Sequence, residues 1–355
     1  MTDKRSFMDI GDARRLAASI PPSPVAEVLA LPDDRAIEDR ALATAKRALQ
    51  LAGAALAAQR FAMAARAQSS WRGYARDFAA WARWAEDAGE TALPAPPPAL
   101  ALYIAELATS HKPATISRLL AAIRAAHVDA GLEDPSKAPA VKAVLAGIRR
   151  ELGVAPRRKT ALVVAAMRAV LAQCGDDARG RRDRLLLLVG WGAALRRSEL
   201  VALDLGDVAE QAEGLAVVIR RGKTDQEARG RVVGIPHTRE VRYDPVAALH
   251  EWLAYRGGRD GPLLWPVDRY GKVHPRRLDD RTVARVVKRV AHAAALEGDY
   301  SGHSLRAGFA TAAAAAGAPL PAIMRQTGHR STDTLMGYIR PATIWQENAA
   351  AMAAL

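Results

Sequence analysis

Six side chains of four types could do chemistry together. His303-Ser304-Leu305-Arg306 is followed by Gly328-His329 and then by Tyr338, which lies nine residues after one histidine and thirty-five after the other. Far upstream stand Arg196, in Leu195-Arg196-Arg197-Ser198-Glu199-Leu200, and Lys223, in Arg221-Gly222-Lys223-Thr224. Brought together, these groups would surround a phosphate with cations and set a phenol beside it. Guanidinium meets phosphate through paired hydrogen bonds, and an ammonium can give up its proton. Imidazole can take a proton near neutrality. Each residue alone is ordinary: a surface arginine, a chance His-x-x-Arg pairing, a polar turn, a half-buried tyrosine. The joint order and spacing are the signal.

Two other phosphate chemistries fail on the residues. Gly222-Lys223-Thr224 ends like a nucleotide-binding loop, but that loop needs a glycine five positions before Gly222, where Val217 stands in an expected strand. Metal-dependent cleavage needs clustered carboxylates. The adjacent acids Asp33-Asp34, Asp176-Asp177 and Asp279-Asp280 fall at loops or helix starts, where they read as caps. No His-Glu-x-x-His occurs. The expectation is a site without metal or other cofactor.

The elements that must position these groups are mostly helices. Half of the 355 residues are hydrophobic and only 5% aromatic, with much of the apolar content alanine. That length suggests two domains. The net charge of +13 is spread over both halves: 23 basic against 17 acidic side chains in residues 1–160, and 28 against 21 in residues 161–355. Two basic domains suit a clamp around a polyanion. Cys174 is the only cysteine, which excludes an internal disulfide and suits a helix core. The N-terminus has no secretory apolar run, and residues 185–195 are too short to span a bilayer, so a cytoplasmic protein without membrane contact is expected.

Residues 1–64 read as an extension, loose around Pro21, Pro22 and Pro24 and helical from 36 to 67. Residues 65–153 read as a helical domain. Trp71, Tyr74, Phe78, Trp81 and Trp84 recur at helical spacing and point to a buried aromatic face rather than a base-stacking surface. Further helices are expected near 99–109, 114–130 (with Thr115 as N-cap) and 138–151. Arg157, Arg158 and Lys159 fall in a basic linker at 154–160, suited to backbone phosphates. Residues 161–355 read as a mixed domain: helices near 163–174, 183–194, 245–255, 279–294, 305–316 and 321–327, and a β-hairpin of 215–220 with 231–235. A short apolar helix closes the chain. Lys112, Thr115 and Arg118 on one helix, and Arg276, Arg277 and Arg281 in a cluster, are candidates for DNA contacts.

The ordered set Arg196, Lys223, His303-x-x-Arg306, His329 and Tyr338 resembles the signature of the tyrosine recombinases, the phage integrase family. Ser301-Gly302-His303-Ser304 and Met336-Gly337-Tyr338-Ile339-Arg340 are most similar to its Cre-like site-specific recombinases. The resemblance covers residues 160–345 strongly and 65–150 less specifically. It implies a mainly α fold with a small β-hairpin or sheet in the C-terminal domain, and a two-domain DNA clamp of core-binding and catalytic domains. It implies that Tyr338 attacks a DNA phosphodiester to leave a 3′-phosphotyrosyl link and a free 5′-hydroxyl. Arg196 and Arg306 would stabilise the phosphate, Lys223 would protonate the leaving oxygen, and His303 would serve as base. His329 would hydrogen-bond the phosphate, and Glu199 would orient its neighbours. A free phenol has a pKa of about 10, so this crowd of cations is what makes it a nucleophile. The implied partners are double-stranded DNA with paired recognition half-sites and three further copies of the chain, linked through the C-terminal helix in a tetramer. A type IB topoisomerase-like nicking-closing enzyme and a catalytically inactive DNA-binding protein are the alternatives.

Overall fold

The computed structural model describes residues 34–64, 68–155, 159–220, 222 and 230–339. Lys223, Arg157, Arg158, the expected C-terminal helix and residues 1–33 of the expected loose segment at 1–35 lie outside the described residues, while residues 34 and 35 belong to a helix. Backbone contacts divide the chain into two units, residues 1–156 and 157–355.

The first unit is helical. α1 (Asp34–Ala64) is one helix of 31 residues. α2 (Gln68–Asp87), α3 (Pro97–Ala108), α4 (Pro113–Asp129) and α5 (Pro139–Leu152) follow, with α2 on α4 and α3 on α5. Three of these helices open on proline, whose fixed φ suits the first turn and whose missing N–H would have had no helical partner. That settles the fate of Thr115: Pro113 opens α4, Lys112 takes the cap position without a side-chain cap, and Thr115 sits inside the first turn. The aromatic stripe packs inward. Trp81 is fully buried and donates Nε1–H to the Ala92 carbonyl at 2.9 Å. Trp84 stacks on it at 5.5 Å and donates to Glu106 at 2.7 Å. These rings are core and hold the helices together.

The second unit is mixed. α6 (Val164–Leu171), α7 (Ala178–Gly192) and α8 (Arg197–Ala202) precede an antiparallel sheet of order β1-β2-β3: β1 (Val208–Gln211), β2 (Gly214–Ile219) and β3 (Arg231–Pro236). α9 (Pro245–Arg256), α10 (Asp280–Ala293), α11 (His303–Ala315), α12 (Leu320–Thr327) and α13 (Thr332–Ile339) complete it. Register pairs Leu215 with Ile235 and Val217 with Val233, so both strands turn one apolar face to the core. Leu185, Leu186, Leu187 and Val189 of α7 are fully buried in that core, each worth about 1.5–3 kcal/mol.

Asp177 and Asp279 cap α7 and α10, accepting from Gly180 N at 2.8 Å and Arg281 N at 2.7 Å. α7 therefore begins five residues before the expected start at 183. Its arginine-rich first turns look like a solvated loop, but Asp183 is wholly buried, accepting from Arg182 at 2.6 Å and pairing with Arg289. β1 was not expected either: Ala209, Glu210 and Gln211 are exposed and only Val208 is buried, so the strand carries almost no apolar pattern. Cys174 is buried, and burial followed by the Asp183 charge pushes its thiol up to about 12, which keeps it inert. No described helix is long and apolar enough to cross a membrane.

Candidate active site

The site gathers at the starts of α8 and α11 and the ends of α12 and α13. Just past the end of α7, Ala194 takes a positive φ of 50°, a strain of about 1–2 kcal/mol for alanine. The chain then turns straight into α8. Arg196 is the residue before that helix, and Glu199 reaches back to accept the Arg196 backbone N–H at 3.1 Å. The same carboxylate accepts from Arg196 Nη1 at 2.5 Å and Arg231 Nη2 at 3.3 Å. Burial alone would raise the Glu199 pKa, but the Arg196 N–H and the two guanidinium charges overcome it and hold the group below the ordinary carboxylate range.

Arg306 lies in the first turn of α11 and is 1% exposed. Nη1 donates to the strained Ala194 carbonyl at 2.8 Å, while Nη2 is buried without a hydrogen-bond partner. Burial, then the Arg196 charge, pull its pKa down to about 10, so it stays cationic at neutral pH. One turn earlier, His303 Nε2 lies 2.5 Å from Tyr338 Oη. Burial, then Arg306, Arg196 and Arg197, lower the His303 pKa. A neutral imidazole beside a phenol is ready to accept its proton.

Tyr338 reaches this place because α13 docks through Leu335 and Ile339 onto Ala310, Ala314 and Ile323 of α11 and α12. Its ring lies 6.1 Å from that of His329 at 29°. His329 follows Gly328, which ends α12 in a left-handed conformation at φ 65°. Thr327 donates its hydroxyl proton to the Ile323 carbonyl at 2.7 Å, so its oxygen accepts from His329 Nδ1 at 2.8 Å. That bond leaves His329 Nε2 as the unprotonated nitrogen of the neutral ring. Burial first, then Arg306 and Arg196, push the His329 pKa down to about 4. Gln326 fixes the turn by donating to the Gly192 carbonyl at 2.7 Å and the Gly234 carbonyl at 3.0 Å.

Arg196, Glu199, His303, Arg306, His329 and Tyr338 are thus brought together. Lys223 lies outside the described residues, but its neighbour Gly222 passes close enough that a Cβ there would stand 3.0 Å from Glu199 Oε1 and 3.7 Å from Arg196 Nη1. Three participants were missed from sequence: Ala194, Gln326 and Arg231. Arg231 left a faint signal, a charged residue opening an otherwise apolar strand. Ala194 and Gln326 left none.

The candidate DNA contacts divide. Arg118 pairs with the buried Asp77, and Lys159 pairs with Asp299. Arg277 is tied to Asp204 at 2.6 Å and to the Val201 carbonyl at 2.8 Å. Each of the three has a partner within the fold. Lys112, Arg276 and Arg281 are exposed, and Thr115 is half-buried. Among the described residues no group of three or more His, Cys, Asp or Glu side chains could hold a metal ion.

Residues 162–343 match the model of the Phage integrase family. An integrase/recombinase XerD homolog of Selenomonas ruminantium is 34% identical over 300 residues, covering 83% of this chain and 88% of the relative. A tyrosine recombinase XerC of Pelobacter propionicus is 30% identical over 242 residues, covering 66% of this chain and 72% of the relative. Among solved structures, a lambda integrase dimer bound to a COC′ core site shares the fold, with a TM-score of 0.55 at 17% identity over 77% of this chain and 89% of that one. The chain belongs to the phage integrase family and is a tyrosine-type site-specific recombinase.

Proposed function

We propose that this recombinase cuts and rejoins duplex DNA through a covalent 3′-phosphotyrosyl intermediate on Tyr338. The observation that carries the reading is the 2.5 Å contact of Tyr338 Oη with His303 Nε2, beside the buried and unpartnered Nη2 of Arg306. His303 takes the phenol proton as the oxygen attacks phosphorus. Arg196 and Arg306 bind the non-bridging oxygens, where charge builds, and His329 adds a hydrogen bond once its Nε2 takes up a proton beside the phosphate. Lys223 gives a proton to the departing 5′-oxygen. One phosphodiester is exchanged for another, so reversal of the same step rejoins a strand without ATP or metal. The substrate is duplex DNA with paired half-sites, and each basic unit contributes to holding it. Four copies joined through the C-terminal segment exchange strands between two sites in the Cre-like manner, with the protein residing on the nucleoid.

The test uses a nicked suicide duplex built on the sequence that the purified protein protects from nuclease. Wild-type protein accumulates a covalent adduct, and Tyr338→Phe forms none. Absence of adduct with wild type, or its persistence in the phenylalanine variant, sinks the reading.

A further inference from the structure

Arg231 is a cation of the site that the tyrosine chemistry leaves without a task. It opens β3, paired with Ile219 in the ladder, and sends its side chain among three separate segments. Nη2 donates to Glu199 Oε2 at 3.3 Å. Nη1 lies so close to the Gly328 backbone that a Cβ there would approach within 2.8 Å, and 3.8 Å separates it from the corresponding position at Gly222. Nε is buried and has no hydrogen-bond partner. The guanidinium therefore bonds the carboxylate on the helix start that carries Arg196, lies against the turn that carries His329, and faces the hairpin glycine before Lys223.

This placement is costly as packing. Glu199 is the carboxylate between Arg196 and Arg231, and Arg306 adds a third guanidinium close by. An apolar side chain of similar volume would fill the space without burying an unpaired N–H or adding to that repulsion. A guanidinium is useful there for another reason. Glu199 Oε1 holds the Arg196 side chain, while Oε2 accepts both the Arg196 backbone N–H and Arg231 Nη2, so Arg231 adds a charged hold that ties the carboxylate plane to β3. A planar fork can grip that oxygen and still lie flat against the Gly328 backbone.

We propose that Arg231 is a positioning residue for strand cleavage, clamping Glu199 and backing the Gly328–His329 turn so that Arg196 and His329 hold their places at the phosphate. It acts through these neighbours and not by binding DNA. The inference rests on the phosphotyrosyl reading above.

The experiment measures two quantities on the same nicked duplex with full-length protein: the dissociation constant, and the single-turnover rate of adduct formation at saturating DNA. Arg231→Ala lowers the rate by about 10–100-fold, the size of effect typical of groups that orient a primary ligand, and leaves the dissociation constant within about twofold. Arg231→Lys recovers part of the rate, because it restores the charge on Glu199 but not the fork. Glu199→Gln slows cleavage comparably, and the double variant with Arg231→Ala is no slower than the worse single one, since both disable one unit. Should the alanine variant fail to fold, Arg231→Gln, which keeps volume and a donor without charge, is read by the same criteria. A wild-type rate in Arg231→Ala overturns the proposal. So does a loss confined to the dissociation constant, which marks a backbone contact, or a double variant whose defects multiply. Failure of wild-type protein to form adduct removes the underlying chemistry as well, and is distinguished by being seen before any Arg231 variant is compared.

Discussion

The two units treat buried charge in opposite ways. In the first, no buried side-chain nitrogen or oxygen among the described residues lacks a partner. Asp77, 3% exposed, accepts from Arg118 and Arg76, and His127, 1% exposed, accepts from Ala95 N at 2.8 Å and bonds the Ile123 carbonyl at 2.8 Å. In the second, the buried side-chain nitrogens without partners are Arg231 Nε, Arg306 Nη2 and Trp265 Nε1, counted among the described residues. Two of the three belong to guanidiniums crowded around one carboxylate. Among the described residues Trp265 Nε1 is the one other buried side-chain atom left without a partner, so two arginines short at a single carboxylate are not scattered packing defects. The difference separates charge that builds a domain from charge kept for a ligand.

Replacing Arg306 should break the comparison most sharply if it is mistaken. Arg306→Met removes a buried cation held against the like charges of Arg196 and Arg231. Adduct formation is expected to fall by about 10²–10³-fold, the loss seen when one donor to a developing oxyanion is deleted. The melting temperature of the DNA-free protein is expected to hold or rise, because the apolar side chain no longer asks for a partner. A variant that melts several degrees lower yet still cleaves would show Arg306 to be structural, like Asp77.

Arg118 tests the other side. It was a candidate for DNA contact on the basic face of α4, and in the fold it answers Asp77. Arg118→Ala leaves that carboxylate, 4% exposed, with only Arg76 at 3.5 Å. A loss of about 1–3 kcal/mol is expected from the urea midpoint. Unchanged stability with a shallower salt dependence of DNA binding would return Arg118 to the phosphate backbone and blur the contrast between the units.

The same contrast explains what could be read in the sequence. The phenol, imidazoles and arginines were legible because their order is a chemical set, and the aromatic stripe of α2 because helical spacing names its own face. The elements that escaped were short or disguised. α8 and β1 span six and four residues, too few for a period to emerge. α7 was cut short because Arg182 and Asp183 look solvated until Arg289, more than a hundred positions away, closes the charge balance. Gln326 and the strained Ala194 are invisible for a similar reason, and Arg231 shows only as a charge opening an apolar strand. Their roles are contacts with groups distant in sequence, which no local pattern encodes.

The smallest expected effect is a pH slope in stability, and it probes the crowding of cations directly. His329 is depressed to about 4 by burial and then by Arg306 and Arg196, and His303 is lowered by burial and the same arginines. An unfolded histidine titrates at about 6.5. Below that pH the unfolded chain binds protons that the folded site refuses. The stability from these neutral rings is therefore complete above about pH 6.5 and is lost as pH falls through the folded value. The melting temperature of wild type minus that of His329→Asn should fall between about pH 6.5 and 4. A flat difference would mean that the ring does not feel its cations. With duplex bound, a phosphodiester adds negative charge to a cluster in which three guanidiniums share the single carboxylate of Glu199, and protonating Nε2 would let His329 donate to it. The decline should then shrink, because the liganded site tolerates the proton that the empty one excludes.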